Sequence, residues 1–105
     1  MSIKNITSRE EFHQIISQGS TLVDFHAVWC GPCKMLTPIL EKITTLVNDI
    51  NFIKVDIDQL ISIAHEFNIR SVPTVYLFQD GKAVNHFVGF KPEHQILEFI
   101  NQNKR

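Results

Sequence analysis

Thr21-Leu22-Val23-Asp24-Phe25-His26-Ala27-Val28-Trp29-Cys30-Gly31-Pro32-Cys33-Lys34 decides the fold. A run of β-branched and apolar residues leads straight into two cysteines, and beyond Cys33 the apolar period changes. Met35, Leu36, Ile39, Leu40, Ile43, Leu46 and Val47 recur at helical spacing. The stretch therefore reads as strand, loop, helix. Thr21 to Val28 is expected to be buried on both faces, and so central in a sheet. Residues three apart on a helix lie on one face, about 5–6 Å between Cβ atoms. A disulfide accepts Cα separations of about 4.4–6.8 Å. Cys30 and Cys33, the only cysteines of the chain, can thus switch between dithiol and disulfide with little backbone movement.

Working outward, the rest of the chain falls into similar short elements. A weak strand is expected over Ile3 to Ile6. Ser8 reads as a helix N-cap, with Glu11 completing a capping box, and Gly19 ends that helix. Phe52 to Ile57 reads as a strand and Leu60 to Phe67 as a short helix, which suits a parallel crossover. Val75 to Phe78 and Ala83 to Val88 read as strands joined by a tight Asp80-Gly81 turn. Pro92 fits the first position of a last helix carrying Ile96, Leu97, Phe99 and Ile100. Pro38 lies inside the long helix and is expected to bend it. The order is an α/β one: a central mixed five-stranded sheet flanked by four helices.

With 105 residues, 44% hydrophobic and 20% charged, the chain reads as a single domain over residues 1–105. A formal net charge of −1 gives no footprint for nucleic acid or an anionic membrane. Met1 to Phe12 is polar and charged and lacks the apolar core of a signal peptide, and no run is long enough to span a bilayer, so a cytoplasmic protein is expected. A lone cysteine pair there points to catalysis or metal rather than a structural bridge. A passive disulfide closing so small a loop would constrain the unfolded chain little. A zinc site needs four ligands, and His13, His26, His65, His86 and His94 have no ligand spacing; no metal is expected.

Taken together, Val23-Asp24-Phe25, the hexapeptide Trp29 to Lys34, Pro38, Lys54-Val55-Asp56, Ser71-Val72-Pro73-Thr74, Asp80-Gly81 and Val88-Gly89 resemble the thioredoxin family in order and spacing. The resemblance runs the whole length of the chain. It implies the thioredoxin fold and a small monomeric protein-disulfide reductase. It implies no bound cofactor: the redox group would be the Cys30–Cys33 disulfide, with electrons supplied from NADPH by way of thioredoxin reductase. Disulfide-containing proteins such as ribonucleotide reductase and peroxiredoxins are the implied partners.

Cys30 would be the nucleophile, its thiolate favoured by the unpaired N–H groups of a helix N-terminus. Cys33 would resolve the mixed disulfide. Asp24, if buried in mid-strand, should have a raised pKa; the resemblance makes it the general base for Cys33, against the alternative of a strand-end carboxylate in solvent. Lys54 matches a family lysine that approaches this aspartate, or it is simply an exposed strand lysine. Most X–Pro bonds are trans, so Pro73 alone suggests trans, whereas the resemblance implies cis and places Val72 beside Cys30. Trp29, Gly31, Pro32, Val72, Pro73 and Gly89 would then form an apolar substrate-binding patch. His26 stands where the family usually has an aromatic residue and shares a strand face with Asp24. It is either a packing residue or a group titrating near about pH 6.5. A different class of function, a binding module with idle cysteines, is separated from the reductase by insulin-disulfide reduction.

Overall fold

The structure is a computed structural model that describes residues 2–104. In chain order its elements are β1 (Lys4–Asn5), α1 (Arg9–Ile16), β2 (Ser20–His26), α2 (Gly31–Leu46), β3 (Asn51–Asp56), α3 (Ile61–Glu66), β4 (Thr74–Gln79), β5 (Lys82–Val88) and α4 (Glu93–Asn103). The strands lie in the order β1-β3-β2-β4-β5. β1 and β2 run parallel to β3, and β4 runs antiparallel to β2 and β5. The expected mixed sheet and four helices are thus both present among the described residues.

β2 is the centre of the sheet because it has no hydrophilic face to give to water. Leu22 packs in one core with Leu36, Leu40 and Ile43 of α2 and Ile96 and Ile100 of α4. Val23 and Phe25 pack in the other, with Phe12, Ile53, Ile63 and Phe78. Successive side chains on a strand alternate between faces. Asp24 and His26 therefore point to the α2 side with Leu22. On β3 the same alternation puts Lys54 and Asp56 on that side with Phe52. The register sets Asp24 beside Lys54 and His26 beside Asp56.

Several expectations are corrected. α3 does not serve a parallel crossover. Six residues of helix advance the chain about 9 Å, against about 20 Å for a six-residue strand. The chain leaving α3 is still at the end of the sheet where β3 finished. β4 starts there, Thr74 opposite Phe25, and must run back antiparallel. β2 ends at His26, earlier than expected, and Val28 is 67% exposed; the chain turns there, the Cys30 N–H donating to the Ala27 carbonyl at 3.2 Å. Ser8 does cap α1, its hydroxyl accepting the Glu11 N–H at 3.0 Å. The return arm of the box goes instead to the Thr7 N–H, 2.9 Å from Glu11 Oε1. The first strand shrinks to Lys4–Asn5, and Pro92 is the N-cap of α4 rather than its first residue. The Asp80-Gly81 turn joins β4 and β5 in two residues with φ of 51° and 86°, the left-handed pair that a tight hairpin demands. α2 stays continuous across Pro38.

Candidate active site

Cys30 is the N-cap of α2, with Gly31 and Pro32 opening the helix. Proline suits the first turn because the N–H it lacks would have no partner there. The Cys30 sulfur accepts the Cys33 N–H at 3.2 Å, so a backbone donor of the first turn already points at it. The Cα atoms of Cys30 and Cys33 are 5.3 Å apart and the two sulfurs are joined as a disulfide. Both residues are buried to nearly the same degree. What separates them is position: Cys30 sits at the cap beside exposed Trp29, Cys33 within the first turn.

A second segment reaches the sulfur from the start of β4. The Val72–Pro73 bond is cis, the isomer that the resemblance implies and the X–Pro statistics do not. The Val72 carbonyl oxygen lies 3.6 Å from Cys30 Sγ. Two ties hold this segment. The Gly89 N–H donates to the Pro73 carbonyl at 2.8 Å, and Thr74 Oγ1 donates to the Ser71 carbonyl at 2.6 Å. Gly89 has φ +93°, a backbone state that side-chain-bearing residues rarely adopt, so glycine there is demanded by the chain path. At Gly31 a Cβ would meet nothing within 4 Å; the space over the first helical residue is open. Trp29, Gly31 and Pro32 are exposed, Val72 and Gly89 half-buried, and Pro73 buried at the base. Phe90, 41% exposed, extends this apolar rim.

Asp24 stands in the middle of β2, on the α2 side of the sheet. It is fully buried, and neither carboxylate oxygen has a hydrogen-bond partner among the described residues. Burial pushes its pKa up to about 7, against a smaller downward pull from Lys54. Lys54 is neither paired directly with Asp24 nor simply exposed. Its ammonium donates to Thr37 Oγ1 at 3.1 Å, and Thr37 Oγ1 donates in turn to the Cys33 carbonyl at 3.2 Å. A cleft of about 220 Å³ opens beside this group, lined among others by His26, Cys33, Lys34, Thr37 and Lys54. Among the described residues no cluster of three or more His, Cys, Asp or Glu forms a metal site.

Two residues of the site escape the sequence reading. Asp58 Oδ2 accepts the Trp29 Nε1–H at 2.8 Å, while its own N–H donates to Asp56 Oδ1 at 2.8 Å. That Asx turn after a strand is the one sequence signal for it. Thr37 lies one helical turn after Cys33, and that i, i+4 spacing is its signal.

The family model for Thioredoxin matches residues 3–102. The chain belongs to the thioredoxin family. A thioredoxin of Mycoplasmoides gallisepticum is 44% identical over 99 residues, covering 93% of this chain and 99% of that one. The thioredoxin of Bacillus subtilis is 37% identical, covering 90% and 91%. The solved structure of Plasmodium falciparum thioredoxin superposes with a TM-score of 0.90 at 36% identity, over 95% of this chain and 98% of that one. A further similar structure comes from work on the thiol resolving mechanism in a yeast mitochondrial 1-Cys peroxiredoxin via glutathione/thioredoxin systems. Its TM-score is 0.88 at 32% identity, over 96% and 95%. This thioredoxin-family chain is a protein dithiol–disulfide oxidoreductase, and the Cys30–Cys33 pair is its redox centre.

Proposed function

We propose that the protein works as a cytosolic reductase of other proteins' disulfides, a single domain over residues 1–105, with Cys30 attacking and Cys33 resolving. The observation that carries this division of labour is the Cys33 N–H aimed at the Cys30 sulfur at the helix cap. In the dithiol form that donor and the helix dipole favour a thiolate on Cys30. The thiolate attacks one sulfur of a substrate disulfide; a mixed disulfide forms and the first substrate thiolate leaves. Cys33 then gives its proton to Asp24, directly or through water, and its thiolate attacks Cys30 Sγ. The second substrate thiolate leaves and takes up a proton, and the Cys30–Cys33 disulfide remains. Two electrons from NADPH, delivered by a thioredoxin reductase, and two protons restore the dithiol.

A carboxylate with a pKa of about 7 suits a base that must accept and release a proton near neutral pH. Lys54, held on Thr37, tunes it by lowering its proton affinity. Trp29, Gly31, Pro32, Val72, Pro73 and Gly89 form the surface for an extended substrate segment. Val72 offers backbone hydrogen bonds next to the sulfur, as in strand addition. Peroxiredoxins and ribonucleotide reductase are the partners proposed, the first favoured by the yeast peroxiredoxin work from which one similar structure comes.

The test is insulin-disulfide reduction with dithiothreitol as electron source. The wild type accelerates it, Cys30→Ser abolishes it, and Cys33→Ser stalls at a substrate-linked mixed disulfide. Full activity of Cys30→Ser would overturn the assignment.

A further inference from the structure

The α2 side of the sheet carries a titratable group that the mechanism above does not use. His26 is half-buried at the end of β2, two residues after Asp24 and on the same face. It lines the same cleft of about 220 Å³ as Cys33, Thr37 and Lys54. Among the described residues no hydrogen bond to protein occupies its ring nitrogens. A histidine that only packed there would gain from a fixed partner on at least one nitrogen. This one has no such partner and lines a cleft shared with the resolving cysteine.

We propose that His26 is a second proton acceptor for Cys33, working beside Asp24 and passing the proton to water through the cleft. The inference rests on Cys33 being the resolving thiol. In the mixed disulfide the Cys33 thiol gives its proton to the neutral imidazole, directly or through one water. The Cys33 thiolate then attacks Cys30 Sγ, the Cys30–substrate bond breaks, and the substrate thiolate departs. The imidazolium loses its proton to bulk water and is ready for the next cycle. The charged and titratable groups around the ring are Asp24 on its own strand, Lys54 and Asp56 on β3, and Cys33 and Lys34 on α2. Burial and the Lys54 cation hold the imidazole below its ordinary value, with Asp56 pulling the other way. The ring is therefore neutral, and able to accept, at the pH where the enzyme would work. Asp24, fully buried, holds a proton that must travel; His26, half-exposed, is the member of the pair that meets solvent.

The experiment is stopped-flow measurement of the resolving step, substrate release from the mixed disulfide, from about pH 5 to about pH 9. It compares wild type, Asp24→Asn, His26→Phe and Asp24→Asn/His26→Phe, with insulin as substrate. Phenylalanine keeps a ring of similar size, so the fold is retained. Asp24→Asn should keep a pH-dependent limb that follows an imidazole. Adding His26→Phe should remove that limb and lower the neutral-pH rate about ten-fold further, a modest share of what a positioned base supplies. Alkylation of Cys30 should be unchanged in His26→Phe, which separates this idea from the nucleophile assignment. An NMR titration of the imidazole gives a second readout, and its midpoint should move when Cys33 is reduced. Identical pH–rate profiles for Asp24→Asn with and without His26, or an imidazole midpoint blind to the redox state, would overturn the proposal.

Discussion

Asp24→Asn should make the oxidised protein more stable, and by an amount that depends on pH. The carboxyl group titrates at about 7 in the fold against an ordinary 3.8. The difference of about three pH units, at about 1.36 kcal/mol each, sets an upper value near 4 kcal/mol. The sign follows from proton counts. Between the two values the unfolded chain has lost this proton while the folded chain keeps it, so stability falls as pH rises. Below about pH 4 both states are protonated and the contribution vanishes; above about pH 7 it is at its full, destabilising size. Asparagine has nearly the same shape and no charge to desolvate. The wild type and Asp24→Asn should therefore unfold together near about pH 4 and diverge progressively to about pH 8. With a urea slope of about 2 kcal/mol per molar, the full difference displaces the midpoint by up to about 2 M. The assay is urea unfolding of the oxidised protein followed by far-UV circular dichroism at stepped pH. Parallel stability curves across that window would mean that Asp24 ionises as an ordinary exposed carboxylate, and its role as base would go with it.

Gly89→Ala should destabilise the fold by about 1–2 kcal/mol through backbone strain alone, because φ is +93° while no atom lies within 4 Å of the added Cβ. Gly31→Ala, equally free of contacts but without the positive φ, should change stability by less than about 0.5 kcal/mol, and equal losses in urea midpoint at the two positions would refute the distinction. Trp29 is the only tryptophan of the chain, adjacent to Cys30 and held by Asp58 at 2.8 Å. Its emission should rise when dithiothreitol opens the neighbouring disulfide, and the rise should shrink in Asp58→Ala; emission independent of redox state would contradict this geometry.

The parts of this molecule written in local pattern are legible in the sequence alone. The change of period at Cys33 places a helix start at the cysteines, and the apolar length of Thr21 to Phe25 places β2 in the middle. Asp24 stands out because a lone carboxylate in such a run has no water to face. The Asp80-Gly81 turn is carried by two residues tolerant of positive φ. The direction of β4 was not legible from strand and helix order, because it depends on how far α3 carries the chain. The hydrogen bond from Lys54 to Thr37 joins residues that meet only when α2 lies on the sheet. The cleft that unites His26 with Cys33 arises the same way. Val28 reads as more strand because it is an apolar residue before a cysteine loop, whereas the chain has already turned there.

The central claim is that Cys30, at the cap of α2, is the more acidic of two exchanging thiols. Iodoacetamide alkylation of the reduced protein, followed against pH with mass-spectrometric assignment of the modified residue, measures it directly. Cys30 should react first, with a midpoint below the free-cysteine value of about 8.5, while Cys33 stays largely unmodified. Equal labelling of Cys30 and Cys33, both rising only near that free value, would contradict the account.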